Sequence, residues 1–411
     1  STLASAATVN PAIAPDGFQK VITEKYSADI HFLINQANIR SSETSKQDYI
    51  DLNKRLIEAN AAPNMEIAGV SVSSFASPEG ALSFNTQLAE RREQNTNSLI
   101  EGQLKKDRIT EFGELTSSFT PEDWEGFQKL VEKSNIQDKD LILSVLSMYK
   151  DPEEREREIR NLSSVFDELA EQILPQLRYS RVQASINVIG KSDQELIALF
   201  NSDPQKLTED EILYVATLTD DNTKKMEIYK KASEIYPKSW RAVNNLGATQ
   251  YAARDYAAAR ASFEKANSMN PQSKETAMNR GLLSLMNGDF RQANSLFGQA
   301  AGVPENQDAL GVYYLATGEL AKANTAFGDS KTNNAALAQI LSKDYSAAKQ
   351  TLAAISNPDA TTYYLTAILG ARTNNENMVM SNLRQAVKLD SSLLKRAKAD
   401  LEFANFNLSY L

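Results

Sequence analysis

The side chains that could do chemistry are few. The chain has no cysteine and one histidine, His31, which excludes disulfides, thiolate metal sites and cysteine nucleophiles and leaves any imidazole chemistry to His31 alone. That residue lies in Ala28-Asp29-Ile30-His31-Phe32-Leu33-Ile34, a run that reads as a strand, so His31 is expected to be an ordinary strand residue. Glu122 and Glu125 could act as acid and base. They stand at a helix start, however, where acidic side chains meet the helix dipole favourably. No Gly-rich phosphate loop, dinucleotide fingerprint, metal-ligand cluster or nucleophile elbow occurs in the sequence. The chain is therefore read as non-enzymatic, with no cofactor and no metal.

At 411 residues two domains are expected, and the 42% apolar and 24% charged fractions are those of an ordinary globular protein. No apolar run approaches the ~20 residues of a membrane span. Residues 1–14 are small and polar around Pro11 and read as a linker. With no starting Met, basic region or apolar core of a signal peptide, the chain is expected to be a processed product or part of something longer. Residues 15–203 read as an α+β domain. Strands are expected at Ala28 to Ile34, Met65 to Phe75 and Arg178 to Ile189. Helices are expected at Lys46 to Ala61 and Leu82 to Leu104, with a helical insertion at about 120–177. That order predicts helices on one face of a small sheet. In the insertion, Trp124 and Phe127 stand three apart on one helix face, the spacing of core packing.

One stretch carries a resemblance. The strand Ile67-Ala68-Gly69-Val70 leads to the turn Ser77-Pro78-Glu79-Gly80, and Asn85, Leu88 and Arg92 follow at fixed spacings. This resembles the peptidoglycan-binding domain of OmpA-like envelope proteins, and the Ala76-Ser77-Pro78-Glu79-Gly80 variant resembles the Bacteroidota type. The resemblance implies capture of the zwitterionic diaminopimelate of a peptidoglycan stem peptide, an Asp taking the ammonium and an Arg forking onto the carboxylate. Arg92 matches the Arg, Ser77 stands where the family has Asp, and Glu79 lies two residues along the same turn. Read without the family, one Arg of Glu90-Arg91-Arg92-Glu93 is a surface partner for a neighbouring Glu, Asn85 bonds the turn, and Pro78 and Gly80 serve turn geometry.

From residue 204 onward the pattern is periodic. Tyr229, Ala232 and Pro237 recur as Phe263, Ala266 and Pro271, and Gly247, Ala259, Phe263 and Ala266 recur as Gly281, Ala293, Phe297 and Ala300. The interval is ~34 residues, and such a period predicts helical hairpins that bury their apolar faces by stacking, so 204–411 is expected to be an all-α solenoid. The motif resembles the tetratricopeptide repeat, most fully from Trp240 to Pro271. Gly311, Tyr314, Ala323 and Phe327 mark a shortened fourth hairpin, and Tyr345, Ala348 and Leu352 an abbreviated fifth. Leu383 and Ala386 mark a fuller sixth, and Leu393 to Phe403 reads as a capping helix. The shortening predicts a change of curvature and a specialised contact surface between Ala301 and Asn357. The resemblance implies that the first helix of each hairpin lines a concave groove, giving Arg241, Asn244, Tyr251, Glu275, Met278, Met286, Asp308 and Tyr364 as protein-binding positions. That mixture suits an extended peptide or partner helix.

Residues 1–205 carry 21 basic against 32 acidic side chains and residues 206–411 carry 23 against 21. An acidic first half without a basic stripe argues against nucleic acid and anionic membrane surfaces. The expected protein is a non-enzymatic cell-envelope scaffold at the periplasmic face of the outer membrane, held by an upstream lipoprotein-type anchor. Its OmpA-like domain would dock on peptidoglycan or an outer-membrane partner, and its repeats would bind another protein. The alternative is a protein-binding module whose OmpA-like domain has lost peptidoglycan affinity and is structural.

Overall fold

The computed structural model describes Thr2 and residues 9–411, with the backbone alone at 163–165. Of the expected linker, residues 1 and 3–8 lie outside the described residues. The chain forms two compact units, one spanning Gln19–Ser192 and the other joining residues 9–18 to Asp193–Leu411. The expected boundary at 203 therefore moves to 192. The helix Asp193–Ser202 buries Leu196, and partly Leu199 and Phe200, against Leu213 and Tyr229 of the repeats.

In the first unit, β1 (Val21–His31), β2 (Met65–Phe75), β3 (Glu114–Thr120) and β4 (Tyr179–Ile189) form one sheet in the order β1-β4-β2-β3. β4 is antiparallel to both neighbours and β3 runs parallel to β2. β1 starts seven residues before the expected Ala28, because Val21 to Ser27, though largely exposed, pair in register with β4. β3 was not expected. Glu-Leu-Thr-Ser-Ser-Phe-Thr is an edge strand with no buried residue, so it lacks the apolar alternation that marks a half-buried strand.

The helices Gln47–Ala61 and Leu82–Lys106 bury Tyr49, Leu52, Leu56, Ile100 and Leu104 against one face of the sheet. That face presents Ala28 and Ile30 from β1, Val70 and Val72 from β2, and Val182, Ala184 and Ile186 from β4. Strict alternation from buried Ile67 would put Gly69 and Ser71 inward. A bulge between Ile67 and Gly69 shifts the phase by one residue and delivers Val70 and Val72 instead. The helices Trp124–Lys133, Lys139–Met148, Pro152–Arg160 and Ser163–Gln172 build a core of their own around Phe127, Val131, Ile142, Leu146 and Leu169. Trp124 packs edge-on against Phe127, ring centroids 5.5 Å apart, as expected of a core pair.

In the second unit six hairpins follow in order. Their first helices are Glu209–Ala216, Trp240–Ala252, Lys274–Met286, Asn306–Ala316, Asn333–Leu341 and Ala360–Arg372. Their second helices are Asn222–Ile235, Tyr256–Met269, Phe290–Gln299, Leu320–Phe327, Tyr345–Ala353 and Glu376–Leu389. The recurring glycine and aromatic residue interlock. A Cβ on Gly247 would lie 2.6 Å from Phe263, one on Gly281 2.7 Å from Phe297, and one on Gly311 2.3 Å from Phe327. Phe263 thus packs against Gly247 within its own hairpin as well as in the wider core of the second and third hairpins. Four of the six hairpin turns also repeat a device. A left-handed residue, Arg254, Gly288, Lys343 or Asn374, precedes an N-cap, Asp255, Asp289, Asp344 or Asn375, whose side chain accepts from the N3 amide.

Hairpins four and five are short as expected, with helices of 8, 9 and 9 residues from Leu320 to Ala353 against 13 and 14 in the second. The expected single capping helix is broken at Asp400 into Leu393–Ala399 and a 3-10 turn Leu401–Phe403. Ala normally stabilises a helix interior relative to Gly by ~1 kcal/mol. At Gly247 the sign should reverse, because the added methyl meets the Phe263 ring. Gly247→Ala is expected to lower the repeat unit's stability by ~1–3 kcal/mol, seen as a lower thermal midpoint, and a raised midpoint would refute the interlock.

Candidate functional site

The face lined by the first helices of the hairpins is occupied by the chain itself. Asn245 and Asn279 stand one repeat period apart, each two positions before a repeat glycine, and each grips one residue of the 9–18 segment at both ends. The Asn279 Oδ1 accepts from the Ala12 amide at 2.7 Å while its Nδ2 donates to the Ala12 carbonyl at 2.9 Å. Asn245 repeats this on Ala14, accepting at 2.8 Å and donating at 3.2 Å. Asn244 ties the two together. It donates to the Ala12 carbonyl and to Asn245 Oδ1, and accepts from Asn279 Nδ2 and Thr276 Oγ1. All four polar side chains are buried, where an unpaired amide is costly, so the bonds to the segment satisfy groups that water does not reach.

Toward Phe18, the Arg241 Nη1 donates to the carbonyls of Pro15 and Asp16 at 3.0 and 2.6 Å, while Nη2 pairs with Asp210 and Glu209. Phe18 stacks on Tyr214 with centroids 4.2 Å apart. Val9 and Ala12 join Tyr251, Phe263 and Met278 in one apolar cluster. Burial alternates along the segment, as it does along an extended chain. Ala12 and Ala14 are 0% and 1% exposed, whereas Ile13 between them is 39% exposed.

Of the expected groove residues, Arg241, Asn244, Tyr251 and Met278 gather around this segment. The others do not. Glu275 is half-buried and accepts weakly from Ser273. Met286 is exposed at its helix end. Asp308 accepts from Ser330 Oγ, and burial raises its pKa. Tyr364 is buried under the cap, edge-on to Phe403, beneath the Arg396 guanidinium and donating to Asp400, so it lines no groove. Asn245, Asn279 and the alanines they hold were missed. The recurrence of Asn at the repeat interval was the available signal. The polar contacts to residues 12–16 lie on the second and third hairpins, outside the stretch from Ala301 to Asn357.

In the sheet unit the expected turn residues do assemble, but on one another. Ser77 Oγ donates to Glu79 Oε1 at 2.7 Å, and the same oxygen receives Arg178 Nε and Nη2. Gly80, at φ +84°, donates its amide to Glu156. Asn85 Nδ2 donates to the Glu79 carbonyl and to Glu122, as the turn-bonding role requires. Arg91 is exposed, whereas Arg92 is fully buried. Its Nε, Nη1 and Nη2 donate to the carbonyls of Gln36, Phe75 and Leu33 at 2.9, 2.9 and 3.2 Å. The guanidinium also sits over the Phe32 ring. Burial above all, then the nearby Arg178 charge, lowers its pKa to about 10. A surface pairing of Arg92 with Glu90 or Glu93 is thus overturned, and a carboxylate ligand would have to displace these carbonyls.

Glu122 is half-buried with its pKa raised chiefly by burial, whereas Glu125 pairs with Lys129 in solvent. The two carboxylates do not share a site. His31 ends β1 half-buried near Tyr179, and desolvation lowers its pKa. No group of three metal-ligating side chains occurs among the described residues, and none of their helices is long and apolar enough to cross a membrane. Truncating Arg92 would remove three hydrogen bonds from a charged donor, at ~1.5–3 kcal/mol each. Arg92→Ala is expected to destabilise the sheet unit by several kcal/mol, read by chemical denaturation, and an unchanged transition would show that the guanidinium holds nothing together.

No protein-family model and no curated protein matches this chain. Solved structures similar to half of it include the APC/C hetero-tetramer Cut9–Hcn1, at 16% identity and TM-score 0.44, where the match spans 46% of that chain. A tetratricopeptide repeat protein from Parabacteroides merdae matches 50% of the chain at 14% identity and TM-score 0.38, over 88% of its own length. PilF of Pseudomonas aeruginosa matches 50% of the chain at 16% identity and TM-score 0.38, over 98% of its own length.

Proposed function

We propose that this chain is a non-enzymatic scaffold whose repeat unit binds an extended segment of another protein. The observation that carries the reading is the paired grip of Asn245 and Asn279, each holding one residue's amide and carbonyl. Main-chain hydrogen bonds supply affinity in such recognition, and pockets for alternate side chains supply selectivity. The sheet unit is the structural platform. Its OmpA-like resemblance supports a location in the cell envelope, at the periplasmic face of the outer membrane. Peptidoglycan docking through Ser77, Glu79, Asn85 and Arg92 would require Arg92 to leave three carbonyls and Glu79 to leave Arg178, so the platform role is preferred.

Two measurements test this. An aromatic photo-crosslinking residue placed at Tyr251 in cells should give one discrete protein adduct that is lost when Asn245→Ala and Asn279→Ala are combined. An adduct pattern indifferent to those substitutions would sink the groove reading. Sedimented with purified diaminopimelate-type peptidoglycan, the wild-type chain should stay in the supernatant. Pelleting that Glu79→Gln abolishes would restore wall docking.

A further inference from the structure

The groove's occupant reports what the groove accepts. Every polar contact to residues 12–16 from the first helices of the hairpins reaches main chain: the amides of Ala12 and Ala14 and the carbonyls of Ala12, Ala14, Pro15 and Asp16. Within residues 12–16 the side chains contribute only two enclosed methyl groups, while Ile13 is exposed, and Val9 adds one buried side chain ahead of them. Pro11 and Pro15 bias the residues before them, Asn10 and Ala14, toward extended backbone, and the alanines between them keep the amides the clamp requires. The segment is thus held at residues 12–16 chiefly by its backbone, a mode of contact that other sequences can supply.

We propose that Asn245 and Asn279 form a main-chain clamp for an extended peptide with small side chains at two alternate positions, and that residues 9–16 are its resident plug, displaced by a partner segment of that type. This rests on the peptide-binding reading of the repeat unit and adds the ligand's chemistry and its built-in competitor. A tethered plug acts at an effective concentration in the millimolar range, so a free segment of equal intrinsic affinity binds weakly until it exceeds that level or fits better. The clamp covers two residues, because Asn245 and Asn279 have no third counterpart. Gly311 follows Gly281 by less than a full period, and Ala309 stands two positions before it.

The probe is a fluorescent peptide with the sequence of residues 9–18. In Ala12→Arg/Ala14→Arg full-length protein, where the plug no longer fits, the peptide is expected to bind at least ten times more tightly than to wild type. Adding Asn245→Ala and Asn279→Ala should abolish that binding, and a peptide with Val at both alanine positions should fail to compete. A folded plug-released variant that binds no better than wild type, or that accepts the Val peptide equally, overturns the proposal.

Should the variant not fold, the absence of cysteine allows a single dye on Ile13→Cys in an otherwise wild-type chain. Millimolar unlabelled peptide should then lower the dye's anisotropy as the plug leaves, and constant anisotropy refutes displacement. The in-cell crosslink at Tyr251 can succeed while these fail, which separates the clamp's chemistry from partner binding as such.

Discussion

A carboxamide buried between helices must find both a donor and an acceptor, and in the repeat unit that requirement organises the groove. Asn244, Asn245 and Asn279 lie on the first helices of adjacent hairpins and are closed to solvent. Among themselves and Thr276 they satisfy only part of their capacity. The remainder is met by an extended strand, whose amide and carbonyl present donor and acceptor in the complementary order. The groove is therefore chemically specific for backbone before any side chain is considered. The enclosed methyl groups of Ala12 and Ala14 then set a size limit, because close packing leaves little room beyond them.

The same physics gives the opposite result in the sheet unit. Arg92 is as deeply buried as the amides of the groove, but the carbonyls around it belong to the fixed fold: Leu33 and Gln36 just beyond β1 and Phe75 at the end of β2. A guanidinium spent on such carbonyls clamps strand ends and a helix together and offers no fork to a carboxylate ligand. Glu79 is likewise engaged, its Oε1 accepting from Ser77 and from Arg178, with which it forms an ion pair. The spacing from Gly80 to Arg92 that resembles a binding motif is met here by a set of internal hydrogen bonds.

What was legible in the sequence follows from how each feature is encoded. The solenoid was legible because Gly247, Phe263 and their echoes one period on are forced by helix contact, and contact is periodic. β2 and β4 were legible through their apolar alternation, and the first sheet-covering helix through Tyr49, Leu52 and Leu56 at helical spacing. β3 was not, because a parallel edge strand gains its place from hydrogen bonds to β2 and buries none of its residues. The role of residues 9–18, of which 9–14 fall in the stretch read as a linker, was not legible for the same reason. Their small residues and prolines lack any period, and what holds them is an amide ladder far along the chain, on the second and third hairpins. Arg92 and Asn85 were picked out by type, but type alone does not distinguish a ligand-binding arginine from one saturated by carbonyls.

The irregular hairpins sharpen this. Repeat proteins tolerate drift because each hairpin answers only to its neighbours, and here the drift begins where the clamp ends. Through the third hairpin the full-period step keeps Asn245 and Asn279 in equivalent positions, two residues before glycines that draw their helices onto Phe263 and Phe297. The next step falls short of the period, the amide becomes Ala309, and Ala309 is fully buried in the same cluster as Val9 and Ala12. A polar clamp bounded by an apolar wall fixes which residues of an extended strand can be held, since shifting the strand by one position would carry Ile13 inward and turn the gripped amides away. Regularity in the second and third hairpins is therefore what the bound strand requires, and the shortened hairpins beyond them are free of it.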